Sequence, residues 1–122
     1  MPRCIYTMPA FAAVGMGEEK AREEGIQPAA GEFSYVGNGM ALAEGAEGLV
    51  RVIMDQEKKE TIGVQIVGEG APELILSASL AVKNRMTLEE WESMIVAHPS
   101  LSEMIKEAAL DCFGKSIHGN VR

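Results

Sequence analysis

Gly48-Leu49-Val50-Arg51-Val52-Ile53-Met54, then Asp55-Gln56-Glu57-Lys58-Lys59-Glu60, then Thr61-Ile62-Gly63-Val64-Gln65-Ile66-Val67 is the stretch that decides the fold. Two runs rich in valine and isoleucine flank a wholly polar segment, the pattern of two strands joined at a solvent-facing hairpin end. Lys58 and Lys59 then read as surface charges. After Val67 the apolar period changes from that of strands to that of helices. Ala71 to Lys83 reads as one helix and Leu88 to about Val96 as the next. The second starts with Thr87 and Glu90 at capping-box spacing and buries Trp91, Met94 and Ile95. A third helix runs from Leu101, where Met104, Ile105, Ala108, Ala109 and Cys112 recur at i, i+3 and i+4. Strands first and helices last imply an α+β fold, an antiparallel β-sheet with helices packed on one side.

Upstream of the hairpin the signals are shorter. Ile5 to Thr7 and Ala12 to Met16 read as an edge strand interrupted by Pro9. Glu18 to Glu24, between Gly17 and Gly25, reads as a short solvated helix whose main apolar residue is Ala21. Pro28-Ala29-Ala30-Gly31 reads as a turn region. Phe33 to Val36 is a strand candidate, and Met40 to Ala43 a further one.

At 122 residues the chain is expected to form one domain over positions 1–122, with a core of its own. Its formal net charge of −7 argues against a nucleic-acid partner, since phosphates require a basic surface. No apolar run approaches the ~20 residues that span a bilayer, and the chain opens on folded-looking sequence rather than on a signal peptide, so the expected location is cytoplasmic. Cys4 and Cys112 lie far apart, which suits small apolar fillers in a reducing compartment. Gly68-Glu69-Gly70 follows a strand and precedes a helix, but it lacks the third glycine of a phosphate cradle and puts a carboxylate where pyrophosphate would lie. It reads as a strand-to-helix turn. His98 and His118 have no further ligand at close helical spacing, so no metal site is expected.

The chemistry-bearing run is Ala97-His98-Pro99-Ser100-Leu101-Ser102-Glu103. Pro99 excludes the helical conformation at His98, which leaves the imidazole in an extended segment just before a helix whose N-cap is Ser100. Two arrangements fit these residues. In one, Ser100 and Glu103 form a capping box and His98 is an ordinary loop residue. In the other, the Glu103 carboxylate reaches back to a ring nitrogen of His98, fixes its tautomer and stabilises the imidazolium, leaving the second nitrogen for a substrate proton.

His98-Pro99-Ser100-Leu101-Ser102-Glu103 resembles the His-Pro-Thr-x-Ser-Glu signature of the pyridine nucleotide-disulfide oxidoreductases, the flavin-dependent disulfide reductases. The likeness extends over nearly the whole chain. Ile5-Tyr6-Thr7-Met8-Pro9 with Val14-Gly15 resembles the opening of that family's C-terminal dimerisation domain. Gly48 to Val52, Ile62 to Gly68, Glu73-Leu74-Ile75, Met86 to Glu90 and Gly114 to His118 resemble its later landmarks in the same order. Leu101 favours the dihydrolipoyl dehydrogenase branch over the glutathione reductase branch. Ala10 stands where the family usually has glutamate, which bears on docking to the rest of such an enzyme. Ser100 replaces a threonine and keeps the capping hydroxyl.

The resemblance implies a C-terminal interface domain of a homodimeric enzyme that oxidises dihydrolipoamide through a redox disulfide and FAD, with NAD as acceptor. It implies that His98 and Glu103 are the acid/base pair and that His98 and Pro99 lie near the partner subunit's flavin. It also implies docking to FAD- and NAD-binding domains, and a lipoyl-bearing acyltransferase of a 2-oxoacid dehydrogenase or similar complex as partner. This chain has no closely spaced cysteine pair and is too short for dinucleotide-binding domains besides its own fold, so alone it is expected to bind neither FAD nor NAD and to be inactive. The alternatives are a freestanding dimerisation or interaction module without catalysis, and the same domain of a glutathione-reductase-like enzyme.

Overall fold

The computed structural model describes residues 3–5, 11–34, 48–68, 71–93 and 103–114. The strands are β1 (Arg3–Ile5), β2 (Phe11–Gly15), β3 (Pro28–Ser34), β4 (Gly48–Asp55) and β5 (Thr61–Gly68). The helices are α1 (Glu18–Glu23), α2 (Ala71–Lys83), α3 (Leu88–Ser93) and α4 (Glu103–Asp111). All neighbours in the sheet are antiparallel and the order is β1-β2-β5-β4-β3.

The β4–β5 hairpin is the centre of the sheet, as its sequence predicts. Its register runs from Gly48↔Gly68 to Met54↔Thr61, with an irregularity at Ile53/Met54. At the hairpin end the buried Asp55 carboxylate accepts the N–H groups of Glu57 and Lys58 at 2.9 and 3.1 Å, the bonding that turns a chain sharply at an aspartate. Lys59 takes a positive φ of 56° to complete the turn, and its ammonium lies 5.7 Å from the centre of the Phe113 ring. It is exposed like Lys58, but it also holds an aromatic contact.

Alternation along β4 divides the core in two. Val50, Val52 and Met54 face the helix layer, where they join Val64, Ile66, Phe33, Ile75, Leu88, Trp91, Met104 and Ile105. Ile53 faces the other side and packs with Ile62 and Ala21 of α1. The C-terminal helices α2, α3 and α4 therefore cover one face, as expected. The short α1 adds a patch on the opposite face, where Ala21 is fully buried beneath it. The expected solvated helix thus buries Ala21 as its apolar anchor.

Two other expectations change. The expected broken edge strand is two strands, with β1 at the sheet edge and β2 inside, between β1 and β5. Pro28 to Gly31 is the first half of β3 rather than a turn, paired from Pro28↔Asp55 to Gly31↔Val52. Pro28 is tolerated because it is the first residue of an edge strand. Gly31 is explained by close approach: a Cβ there would stand 2.1 Å from the Ala108 carbonyl oxygen and 2.4 Å from the Cys112 nitrogen, both on the α4 side. The candidate strand at Met40 to Ala43 lies outside the described residues.

Any side chain at position 31 must push α4 off the sheet. Gly31→Ala is expected to lower stability by at least ~2 kcal/mol, the range of overpacking into rigid backbone. Urea unfolding followed by far-ultraviolet circular dichroism measures it, and an unchanged midpoint would contradict the close contact.

Candidate functional site

Of the residues that the sequence marks for chemistry, His98 and Pro99 lie outside the described residues, together with Ser100 and Leu101. Glu103 is the first residue of α4. The described elements on either side of positions 94–102 in the sequence are α3 and α4, both supported by the sheet.

The downstream support is α4. Met104, Ile105, Ala108, Ala109 and Leu110 are buried, so the helix presents the apolar face that the sequence predicts. It lies over β3 and β4 with its backbone against Gly31. Its C-terminal end is pinned by two bonds. The Asp111 carboxylate accepts the Glu32 N–H at 2.9 Å, and the Cys112 thiol donates to the Val52 carbonyl oxygen at 3.3 Å. Both use groups at or next to the Gly31 contact. Cys112 is half-buried and outside any disulfide, in keeping with its reading as a filler.

The upstream support is α3. The expected capping box forms: Thr87 N–H donates to Glu90 Oε1 at 2.9 Å, and Glu90 N–H donates to Thr87 Oγ1 at 3.1 Å. The helix start is also sewn to the hairpin, because Leu88 N–H donates to the Lys59 carbonyl at 2.9 Å and Thr61 N–H to the Met86 carbonyl at 2.9 Å. The centre of this support is the fully buried Thr61. Its hydroxyl donates to the Met86 carbonyl at 2.6 Å and accepts the Trp91 indole N–H at 2.8 Å. Each buried polar atom of the trio thereby has a partner, which is the condition for keeping it in an apolar core. Met94 and Ile95, expected in the same buried stripe as Trp91, lie outside the described residues.

Sequence reading missed three of these features. Thr61 read only as the start of a strand, since nothing local shows that its hydroxyl is the acceptor for an indole. Asp111 and Glu107 are buried acids on α4, and the helical period that places them near the core also predicts apolar residues there. A carboxylate at a core position of an amphipathic helix was the available signal for Asp111.

On the opposite face, Arg51 bonds to Glu18 and to Glu32 and ties α1 to the sheet. Burial acts to lower the Arg51 pKa, but hydrogen bonding and charge attraction from Glu18, with the charge and hydrogen bond of Glu32, outweigh it and raise the value above the ordinary one. The guanidinium therefore stays charged at every pH at which the fold exists. Among the described residues, no cluster of three or more His, Cys, Asp or Glu is arranged to hold a metal ion. No helix among them is long and apolar enough to cross a membrane. An open hollow beside the hairpin end is lined by Lys58, Lys59, Thr87, Leu88, Glu89 and Glu92, whose mixed charges single out no ligand. Gly68 ends β5 with a φ of 126° and α2 begins at Ala71, while Glu69 and Gly70, on which the expected strand-to-helix turn falls, lie outside the described residues.

A five-stranded antiparallel sheet backed by three C-terminal helices, with a His-Pro-Ser-Leu-Ser-Glu run entering the last of them, defines a class. The chain matches the family model described as pyridine nucleotide-disulphide oxidoreductase, dimerisation domain, over residues 1–109, and it belongs to that family. Within the family it is similar to dihydrolipoyl dehydrogenases. It is 41% identical over 119 residues to the dihydrolipoyl dehydrogenase of Bacillus subtilis, covering 97% of this chain and 26% of that protein. With the mitochondrial dihydrolipoyl dehydrogenase of Pisum sativum it shares 39% over 119 residues, 97% of this chain and 24% of that one. Among solved structures, LpdA from Mycobacterium tuberculosis superimposes with a TM-score of 0.81 at 29% identity, over 89% of this chain and 24% of that chain. An Escherichia coli flavoprotein disulfide reductase, RclA, superimposes with a TM-score of 0.80 at 22% identity, over 89% of this chain and 25% of that one, which speaks for the fold alone. The chain spans about a quarter of the length of these relatives.

The Thr61–Trp91 bond yields a test. Thr61→Val keeps the shape but leaves the buried indole N–H without its acceptor, a loss of about 1–3 kcal/mol. Trp91 is the one tryptophan of the chain, so unfolding followed by its fluorescence reads the change directly. A variant as stable as wild type would exclude the bond as a support of α3.

Proposed function

We propose that this chain is the dimerisation domain of a homodimeric dihydrolipoyl dehydrogenase and that it contributes His98 and Glu103 to the disulfide site of the partner subunit. The observation that carries the reading is the family match over residues 1–109, joined to about 40% identity with dihydrolipoyl dehydrogenases across nearly the whole chain. In this reading positions 1–122 form one domain, and the parent's FAD- and NAD-binding domains lie outside this stretch. The Gly68-Glu69-Gly70 run lacks the third glycine of a phosphate cradle, so in this reading FAD and NAD belong to those other domains. The lipoyl-bearing acyltransferase of a 2-oxoacid dehydrogenase complex, or a similar carrier, supplies the substrate. The compartment in this reading is cytoplasmic, which suits two cysteines that lie far apart in the sequence.

The chemistry assigned to this chain is proton transfer. A substrate thiol has an unperturbed pKa of about 8.5 and is mostly protonated at neutral pH, whereas the attacking species is the thiolate. The free ring nitrogen of His98 takes the thiol proton as the thiolate attacks one sulfur of the enzyme's disulfide, forming a mixed disulfide while the S–S bond breaks and the other cysteine leaves as a thiolate. Glu103, at the start of α4, holds the ring and stabilises the imidazolium. Because α4 is seated on the sheet by Gly31, Asp111 and Cys112, the carboxylate starts from a rigid base. Such acid/base help is typically worth about 10² to 10⁴ in rate.

In the complete enzyme, His98→Gln is expected to reduce dihydrolipoamide oxidation by about 10² or more. Electron flow from NADH to an artificial acceptor involves no substrate thiol and should be largely kept. Glu103→Gln is expected to give a smaller loss in the same assay, since the imidazole remains. Steady-state measurement of both activities separates a proton-transfer defect from damage to the fold. Near-normal dithiol oxidation in His98→Gln would end the catalytic reading and leave a capping box.

A further inference from the structure

Asp111 holds a carboxylate in two unfavourable places at once. It is the last residue of α4, where the helix dipole is negative and an acid is disfavoured. It is also 7% exposed, a depth at which acids are rare unless they are paired or bonded. What it gains there is the Glu32 N–H of the edge strand β3, at 2.9 Å and 79 positions away in the sequence. The other contacts that seat α4 are less particular. Met104, Ile105, Ala108, Ala109 and Leu110 bury an apolar face, but apolar contact has no direction and permits a helix to slide or roll. Gly31 admits the helix without choosing its register, and the Cys112 thiol is a weak donor to Val52. A hydrogen bond to a carboxylate is strong and directional, so the Asp111 bond is the contact that fixes α4 along the strand.

We propose that Asp111 is a positioning residue for the proton transfer: by bonding the Glu32 amide it sets the axial position of α4, and with it the point from which the Glu103 carboxylate serves His98. The inference rests on the acid/base reading above and adds a residue that acts only through Glu103. Glu103 and Asp111 are the two ends of one helix of nine residues. At a rise of about 1.5 Å per residue they lie about 12 Å apart on a stiff rod, so a displacement at one end reaches the other. A misplacement of about 1 Å can cost a well-aligned site as much as 10²-fold in rate, which gives the far end of the helix leverage on the chemistry. The charged neighbours of Asp111 on the elements that it joins include Glu107, one turn back on the same face of α4, and Glu32 on β3. Beyond Glu32 stands Arg51 of β4, which is bonded to it. All three are unchanged in the variants that follow.

Steady-state pH profiles of the complete enzyme test the proposal. Dihydrolipoamide oxidation and NADH oxidation by an artificial acceptor are measured on wild type, Asp111→Ala, Asp111→Asn and Glu103→Gln. Asp111→Ala is expected to lower kcat for dihydrolipoamide by about 5- to 10-fold with KM nearly unchanged, and to leave the artificial-acceptor activity within about two-fold of wild type. The acid limb of its dihydrolipoamide profile is expected to move to lower pH, as in Glu103→Gln, because an imidazolium without its carboxylate releases its proton more readily. Asp111→Asn keeps an oxygen acceptor of the same shape and is expected to restore both kcat and the limb toward wild type. Should Asp111→Ala fail to assemble, Asp111→Ser, whose hydroxyl is one atom too short to reach the amide, gives the same readings. A purely structural role predicts that both activities fall together while the limb stays in place. An acid limb unmoved in the alanine or serine variant while Glu103→Gln shifts it would overturn the positioning role and leave the acid/base reading standing. A Glu103→Gln profile identical to wild type would overturn the acid/base pair, and the inference with it.

Discussion

Where α4 crosses β3, backbone meets backbone, and the seating of that helix depends on the contact. With no Cβ at Gly31, the Ala108 carbonyl and the Cys112 amide come within the thickness of a side chain of the strand. At that separation the Asp111 carboxylate reaches the Glu32 N–H and the Cys112 thiol reaches the Val52 carbonyl. Neither bond survives a helix lifted by a methyl group. The bond to Glu32 also disposes of a liability, because β3 is an edge strand and its outward amide would otherwise be open to pairing with another chain. One glycine therefore sets the height of a helix, satisfies an edge and fixes where Glu103 begins.

In the proposed reading the acid/base residue His98 lies in the sequence between α3 and α4. Both flanking helices are bonded to the same sheet, α3 through Thr61, Met86 and Trp91, α4 through Gly31, Glu32 and Val52. The opposite face of the sheet is closed differently. There Arg51, bonded to Glu18 and Glu32, holds α1 in place over Ile53, and the charge of that arginine is insensitive to pH in any useful range.

Much of this was legible in the chain because local and global preferences agree. The β4–β5 hairpin, α2 and the Thr87/Glu90 start of α3 follow from alternation, helical period and capping spacing, each of which is a local property. Pro28 to Gly31 was misread because proline and glycine usually punctuate, while here one opens an edge strand and the other admits α4. That second reason lies in residues 108 and 112, far along the chain. Ala21 was read as a minor apolar residue of a solvated helix, since a single alanine makes no stripe, yet it fills the contact with Ile53 and Ile62. Thr61 gave no sign that its hydroxyl would serve an indole thirty positions away. As for the site, spacing at Ser100, His98 and Glu103 favours the common capping box over an acid/base pair, and it is likeness to a family that argues for the pair.

The seating of α4 on β3 can be measured at a single atom. Hydrogen exchange of the Glu32 amide, followed by NMR, reports whether its outward N–H is held by Asp111. The account predicts exchange as slow as that of the β4 core amides, and a return to rapid exchange in Asp111→Ala. A Glu32 amide that exchanges in wild type as fast as an unpaired edge amide would contradict it.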